Sequence, residues 1–406
     1  VNNGNNEHGI PTFTEEASTF GLDLPYYSTQ ASFFDYDRDG DLDMFLINHG
    51  IAPADVEPNI DKLLNTKSEY SSDKLFRNDA GKFKDVSEAS GIINNSIGFG
   101  LGIAIGDLNN DQWPDILVGQ DYSEKDHLYI NQKDGTYREV IKEATNHISN
   151  FSMGNDIGDV NNDGWLDFIS VDMVSNNNYD LKTSMSGMDP KRFQDLVDKG
   201  LHHQYMFNTL QLNNGKMLDN EVPAFSDIAK FAGISNTNWS WAPLLFDMNN
   251  DGWQDLFVSN GVMRSFRNND FVIYKRKRVA QLYENLEKYQ NKDSLIKKYY
   301  EDILAAMPEK KEVNLLYLND KNMAFTEMNG EWNLNTPTST NGAAYADLDN
   351  DGDLDIVGNN INDAAFLYRN NSSELQQSNY LKVKLKGTLS NVDGIGARVT
   401  IEADGV

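Results

Sequence analysis

The sequence predicts an all-β fold, a β-propeller of repeated four-stranded blades with helical insertions. Three observations predict it. A nine-residue acidic loop recurs five times along the 406 residues. Each copy runs into a short apolar, β-prone segment, and a hairpin pattern follows at a distance. Strand, loop, strand and hairpin make four antiparallel strands per repeat, the unit of a propeller blade.

The loops carry the chemistry. In the most regular copy Asp347, Asp349, Asp351 and Asp355 stand at positions 1, 3, 5 and 9, with Gly352 at position 6 and Asp353 at position 7. The other copies are Asp35, Asp37, Asp39, Asp41 and Asp43; Asp107, Asn109, Asp111, Trp113 and Asp115; Asp159, Asn161, Asp163, Trp165 and Asp167; and Asp247, Asn249, Asp251, Trp253 and Asp255. Alternate oxygens on a tight turn point inward at one hard cation, and a glycine at position 6 supplies the positive φ that the turn needs. Calcium takes six to eight oxygens with tolerant geometry, so four side chains, the position-7 carbonyl and water suffice. An EF-hand would place Glu at position 12 between helices. Here position 12 is Leu46, Val118, Ser170, Val258 or Gly358, and strands follow instead. Five calcium sites are expected. The second is the weakest, because Gln112 replaces the glycine and Pro114 stiffens the turn.

The hairpins have an apolar strand ending in Asn, a Gly or Asn turn, then Phe/Tyr-x-Asp/Glu. They occur at Leu75–Asp85, Leu128–Glu139, Leu210–Asp227 and Leu316–Glu327. The chain opens on another, from Val1 to Glu15, whose calcium loop is expected upstream. The fifth repeat stops after Leu367–Asn370, before its Phe-x-Asp half. Loops two and three start 52 residues apart, close to a bare blade, so wider spacings hold insertions. Residues 50–72 read as a polar surface excursion. Within about 186–206, Asp189 before Pro190 and the closing Gly200 predict one short helix. Within about 264–312, Val279, Leu282, Leu286 and Tyr289 share one face, and Leu295, Ile296, Tyr299, Ile303 and Leu304 another, which predicts a helical hairpin stopped by Pro308. The propeller is thus expected over 1–376. From 377 to 406, alternation in Leu381-Lys-Val383-Lys-Leu385 and Gly394–Ile401 predicts the start of a second β-domain.

Composition narrows the function. A net charge of −27 argues against nucleic-acid binding, which needs clustered Lys and Arg. No apolar run reaches the length of a membrane span, and the absence of cysteine removes disulfides, thiolate zinc and a cysteine nucleophile. Weak modular calcium sites fill at roughly 10⁻⁴–10⁻³ M, a concentration found outside cells, so an exported protein is expected. There is no Gly-x-Ser-x-Gly, no His-Glu-x-x-His and no phosphate loop. His202-His203 reads as packing or a helix end, and Lys275-Arg276-Lys277-Arg278 as a solvated helix face. Trp113, Trp165 and Trp253 recur at one loop position, which favours inter-blade packing over sugar stacking, the other use considered for them and for Trp239 and Trp241.

At these residues the chain resembles the bacterial FG-GAP/VCBS repeat family, whose calcium loops are similar to those of integrin α-subunit propellers. Leu381-Lys-Val383, Asn391 and Gly394-Ile-Gly396-Ala397-Arg398-Val399 resemble the opening of an ASPIC/UnbV domain, cut short at Val406. The resemblance implies a seven-bladed propeller, two blades of which lie upstream, on an exported protein. It further implies a secreted protein or an outer-membrane lipoprotein at the bacterial cell surface, some relatives standing near nutrient-uptake complexes. The function expected is therefore a calcium-stabilised binding or assembly scaffold. Its partner is expected to be a protein, such as an outer-membrane transporter complex, or a glycan, and no catalytic residue is assigned. The alternative is a carbohydrate-active enzyme, a glycosidase or lyase, on the same scaffold.

Overall fold

A computed structural model of the chain describes residues 1–50, 59–184, 188–218, 221–376, 380–388 and 390–401. These fall into two compact units. One comprises residues 1–146, 213–225 and 383–406, the other residues 147–212 and 226–382. No helix among the described residues is long and apolar enough to cross a membrane.

In the first unit, the opening hairpin pairs Asn2–Asn5 with Pro11–Phe13. Repeat one is a sheet of Ser28–Phe34, Asp43–Asn48, Lys74–Asn78 and Phe83–Asp85, and repeat two a sheet of Gly100–Gly106, Asp115–Gln120, His127–Asn131 and Tyr137–Glu139. Both run antiparallel in chain order. The second strands are buried along their whole length. They are central in their sheets and covered on both faces, which is why their sequences read as near-continuous apolar runs rather than alternations. Phe34, Phe45, Ile47, Leu75, Ile116, Val118 and Tyr129 form the core between the sheets. The two first strands adjoin, with Thr29 Oγ1 donating to the Gly100 carbonyl at 2.8 Å.

In the second unit, repeat three is built on Gly154–Gly158, Asp167–Val171, Thr209–Met217 and Pro223–Asp227, the tip of its outer hairpin being grouped with the first unit. Repeat four uses Ser240–Phe246, Asp255–Asn260, Leu315–Asn319 and Phe325–Glu327. Repeat five has only Thr340–Ala346, Asp355–Asn360 and Phe366–Tyr368, so the missing sequence motif corresponds to a missing fourth strand among the described residues. Ile169, Leu210, Leu245, Leu256, Val258 and Leu315 form the core of repeats three and four. Phe246 stacks on Tyr345 at 4.3 Å between repeats four and five.

The insertions follow the cap signals. Asp189 accepts the Lys191 and Arg192 N–H groups and opens Pro190–Asp198, which ends before Gly200 at φ 82°. Asn268 and Asn291 cap Asn269–Leu286 and Lys292–Ala305, the expected helical hairpin. Tyr289 lies beyond the first of these helices, so it does not extend that helix's face. The excursion at 50–72 holds an unforeseen helix, Ile60–Leu64, and another, Asn178–Thr183, precedes the expected one. Residues 51–58, 186–187, 377–379, 389 and 402–406 of the expected segments lie outside the described residues. In the segment where a second β-domain is expected to start, the described residues 380–388 and 390–401 contain no strand. Leu381, Val383, Leu385, Val399 and Ile401 alternate but stay exposed. Alternation forms a ladder only where a partner strand and a covered face exist.

Candidate metal centres

Each acidic loop joins the first and second strands of a repeat, and its backbone obeys one rule. Position 6 takes positive φ in all five copies: Gly40 101°, Gln112 72°, Gly164 85°, Gly252 83° and Gly352 95°. Gln112 therefore adopts the glycine conformation despite its side chain. Its N–H donates to Asp107 Oδ2 at 2.8 Å, as those of Gly164 and Gly252 donate to Asp159 and Asp247 at 2.8 Å. Position 4 is left-handed as well, at Arg38, Asn110, Asn162, Asn250 and Asn350.

The position-9 aspartate is a bracket. Its Oδ2 accepts the N–H of loop position 2 in every copy: Tyr36 to Asp43 (3.0 Å), Leu108 to Asp115 (2.9 Å), Val160 to Asp167 (2.9 Å), Met248 to Asp255 (3.0 Å) and Leu348 to Asp355 (3.0 Å). Its Oδ1 also accepts the N–H of the asparagine that closes the third strand at Asn78, Asn131, Asn319 and Asn370, at 2.8–2.9 Å. Burial pushes Asp43 and Asp255 up to about 7 and Asp115 well above the usual carboxylate range. A bound cation acts in the opposite sense and holds such a group ionised.

The loops divide on their remaining oxygens. In loops one and five the position 1, 3 and 5 carboxylates (Asp35, Asp37 and Asp39; Asp347, Asp349 and Asp351) bring an oxygen each within 4.8 Å of one another. Oδ1 of Asp35, Asp37, Asp41, Asp347 and Asp353 is buried with no hydrogen-bond donor. A buried, donor-free carboxylate oxygen is costly unless a cation meets it. An oxygen-seeking divalent ion fits this donor set. When bound, the ion supplies charge neutralisation and a cross-link between the ends of the turn. In loops two, three and four, asparagine at position 3 closes on the position-5 aspartate instead: Asn109 Nδ2 to Asp111 (2.8 Å), Asn161 to Asp163 (2.9 Å) and Asn249 to Asp251 (3.2 Å). Lys133 and Lys321 stand 3.1 and 3.2 Å from Asp111 and Asp251. In loop five Arg369 pairs with Asp349 and Asp351, and Lys382 with Asp347. Among the described residues no basic group pairs with Asp35, Asp37, Asp39 or Asp41.

Neighbouring loops are tied together, which the sequence did not disclose. The third-strand asparagine reaches back to the position-2 carbonyl of the preceding loop: Asn131 to Tyr36 (2.9 Å), Asn213 to Leu108 (2.9 Å), Asn319 to Val160 (2.8 Å) and Asn370 to Met248 (2.7 Å). Position 4 reaches forward: Asn162 donates to the Gly252 carbonyl (2.9 Å), Asn250 to that of Gly352 (3.2 Å), and Arg38 lies over the Trp113 ring at 5.3 Å. The last contact sets the Trp113 ring beside loop one.

At the other strand ends a second tie recurs. Ser28, Ser240 and Thr340 hydroxyls donate to Asn48, Asn260 and Asn360 at 2.7–2.8 Å. Asp73, Asp126, Asn208 and Asn314 accept the N–H of Asn48, Gln120, Asp172 and Asn260 at 2.7–3.0 Å. Deeply buried carboxylates outside the loops thus hold backbone, as do Asp156 with Leu245 and Asp172 with Phe151. His147 lies 3.1 Å from Asp227, whose other oxygen holds the Leu210 and Ala229 N–H groups. His202 is buried just past a helix end beside His203. Arg278 stacks on Tyr299 at 4.1 Å and pairs with Asp302. Trp239 is 9% exposed, and Trp241 donates its indole N–H to the Gly261 carbonyl at 2.8 Å.

No curated protein matches the chain. Among solved structures, a similar chain is an Agrocybe aegerita lectin described as recognising non-reducing terminal N-acetylglucosamine, 13% identical, with a TM-score of 0.35 over 85% of this chain and 67% of that one. Residues 107–170 and 300–358 match the FG-GAP-like repeat, so the stretches that hold loops two, three and five carry FG-GAP-like repeats and support the reading of the chain as an FG-GAP repeat protein.

Proposed function

We propose that the protein is a calcium-stabilised scaffold of propeller type that works outside the cell by binding another protein. The observation that carries the reading is the set of buried, donor-free carboxylate oxygens on Asp35, Asp37, Asp41, Asp347 and Asp353. Calcium is held by positions 1, 3, 5 and 9 of each loop, with the carbonyl of Asp41, Trp113, Trp165, Trp253 or Asp353 at position 7. Extracellular calcium keeps such sites filled, which supports a protein exported to the bacterial outer-membrane surface, as a lipoprotein or secreted, in company with a transporter complex. The helical hairpin is the docking element. Residues 264–312 hold twelve basic and eight acidic residues, against the −27 of the whole chain. Tyr283, Tyr300 and Leu304 are exposed on it, an aromatic composition that interface cores favour.

Calorimetric titration of chelator-stripped protein with calcium tests the ion, and uptake of less than one equivalent would refute it. For the docking element, residues 268–307 are replaced by a short Gly/Ser linker. If that variant folds, takes up calcium and still co-purifies with every native partner, the docking reading fails.

A further inference from the structure

One arginine of the second unit is held without a polar partner. The other half-buried arginines, Arg77, Arg138, Arg264 and Arg278, each pair with a carboxylate. Arg267, also half-buried, makes no hydrogen bond or ion pair among the described residues. Aromatic rings hold it instead. Its Cζ stands 5.0 Å from the ring centre of Phe151, 5.8 Å from that of Trp239 and 6.0 Å from that of Phe266. Ring faces attract a guanidinium through their π electrons and leave its five N–H donors unused. A second donor is orphaned beside it, since the Trp239 indole N–H is buried with no acceptor. The Trp241 indole, two residues on, is satisfied by the Gly261 carbonyl.

The rings belong to the repeat and the arginine to the insertion. Phe151 and Trp239 each stand eight residues before the first aspartate of their loop, Asp159 or Asp247, as Tyr27 and Phe99 do in repeats one and two. The backbone at this position is pinned. The Phe151 N–H donates to buried Asp172 at 3.2 Å, and the Trp239 N–H to buried Glu312 at 3.0 Å. The Trp239 carbonyl accepts the Gly261 N–H at 3.0 Å. Arg267 comes from the turn that opens the helical insertion. That turn is fixed by the Ser265 N–H to the Pro308 carbonyl at 2.8 Å and by Asn268, which caps the first helix. Two donors with no acceptor among the described residues thus stand on rigid supports. A buried N–H without an acceptor is costly, and an acceptor supplied from outside relieves that cost.

We infer that Arg267 and the Trp239 indole bind the carboxylate of a small organic acid. The guanidinium fork takes the carboxylate edge on, and the indole N–H donates to one of its oxygens. The charge balance selects a monoanion. These donors supply one positive charge in a chain of net −27, so a dianion such as phosphate would bring a second charge that they do not neutralise. The ring faces around Arg267 suit a ligand with a C–H-bearing or aromatic body next to its carboxylate, which sugar acids and aromatic acids share. Phe266, 43% exposed and edge-on to Trp239 at 5.3 Å, is the side chain that turns aside to admit it. The inference goes beyond the calcium and docking readings and rests on neither.

The test is proton–nitrogen NMR of the isotope-labelled whole chain in calcium, with the Trp239 indole signal assigned by Trp239→Phe. Sodium glucuronate and sodium benzoate are titrated separately at constant ionic strength, with inorganic phosphate as the control. A saturable shift of the Trp239 indole signal is expected at millimolar carboxylate or below. Saturation by either acid supports the site, and the tighter of the two tells a sugar acid from an aromatic one. Arg267→Gln should weaken binding at least tenfold. Should that variant fail to fold, the Arg267 side-chain N–H signal of the unaltered chain decides, because it must move along the same curve as the indole. No saturation at high millimolar carboxylate overturns the proposal. So does equal binding by the Arg267→Gln chain, a guanidinium signal that stays in place, or an indole shift that phosphate reproduces.

Discussion

Loops one and five differ consistently from loops two, three and four at positions 3 and 7, and the difference separates two ways of stabilising the same turn. With Asp at positions 3 and 7, loops one and five leave buried oxygens on Asp35, Asp37, Asp41, Asp347 and Asp353 without a donor. With Asn at 3 and Trp at 7, the other three satisfy the turn internally, through the Asn amide and two backbone bonds onto the position-1 carboxylate, as in Asp111 and Gln112 to Asp107. On the proposed function, the first design depends on an ion, and the second holds its shape and offers the ion fewer charges. On that reading one backbone carries sites of two strengths, set by side-chain chemistry at positions 3 and 7.

The largest expected effect breaks the comparison at loop one, which has no basic partner among the described residues. One ion at a hundredfold excess over Kd contributes about 2.7 kcal/mol, and about 2–4 °C accompanies each kcal/mol in a unit of this size. Chelation should lower Tm by well over 10 °C if several sites empty together. Asp37→Ala in saturating calcium should lower it by about 5–10 °C. The double change Asp37→Asn with Asp41→Trp, which copies loops two to four, should shrink the chelator-induced shift. An unchanged melting curve in excess chelator would falsify the ion-dependent account.

Asp355→Ala sharpens it next, because the position-9 bracket is common to both loop types. It strands the Leu348 and Asn370 N–H groups, at about 1–3 kcal/mol for each unsatisfied group, so about 4 kcal/mol is expected. Asp115→Ala should cost about the same, through Leu108 and Asn131. Both losses should persist in saturating calcium, as measured by urea denaturation. A loss confined to loop five would tie the bracket to the ion instead.

Much of this was legible in the residues. Ligand spacing marks the five loops, Asn and Phe-x-Asp mark the hairpins, and Asp189-Pro190 and Gly200 mark a helix, because each signal is local and physically forced. The ties between loops were not legible. Asn319 and Val160 meet across 159 positions of chain, and nothing local in either residue says which carbonyl an amide will find. The second tie, Ser28 to Asn48, escaped because Ser and Asn at strand ends also suit ordinary turns. The expected β-domain shows the converse, since alternation in Leu381–Leu385 is a local pattern whose partner strand is not among the described residues.

Acid separates loop carboxylates from carboxylates that only hold backbone. Asp156 is buried, accepts the Leu245 N–H at 2.7 Å, and is pushed up to about 6 by burial. Its pKa in the fold lies above the unfolded value of 3.8, so the folded state binds the proton more readily. The stabilisation is fully present below about pH 4 and is lost as pH rises through 6, amounting to about 3 kcal/mol. Ion-holding loops run the other way, since protonation displaces calcium. In chelator, where only the first trend acts, the difference in stability between the unaltered protein and Asp156→Asn should fall by about 3 kcal/mol from pH 4 to pH 7. A difference independent of pH would show that Asp156 titrates normally.

The smallest effect concerns loop two, the one loop whose turn residue has a side chain. Gln112 sits at φ 72° where the other loops use glycine, and makes the same N–H bond to the position-1 carboxylate. A left-handed conformation costs a residue with a Cβ about 1–2 kcal/mol, whereas glycine adopts it freely but gives up more chain entropy on folding. Gln112→Gly should therefore stabilise the first unit by about 1 kcal/mol, less than any change above. Because the backbone bond is kept, calcium affinity at loop two should change less than twofold. A loss of stability would mean that the Gln112 side chain makes a contact worth more than the strain it carries, and loop two would then differ from loops three and four in more than its turn residue.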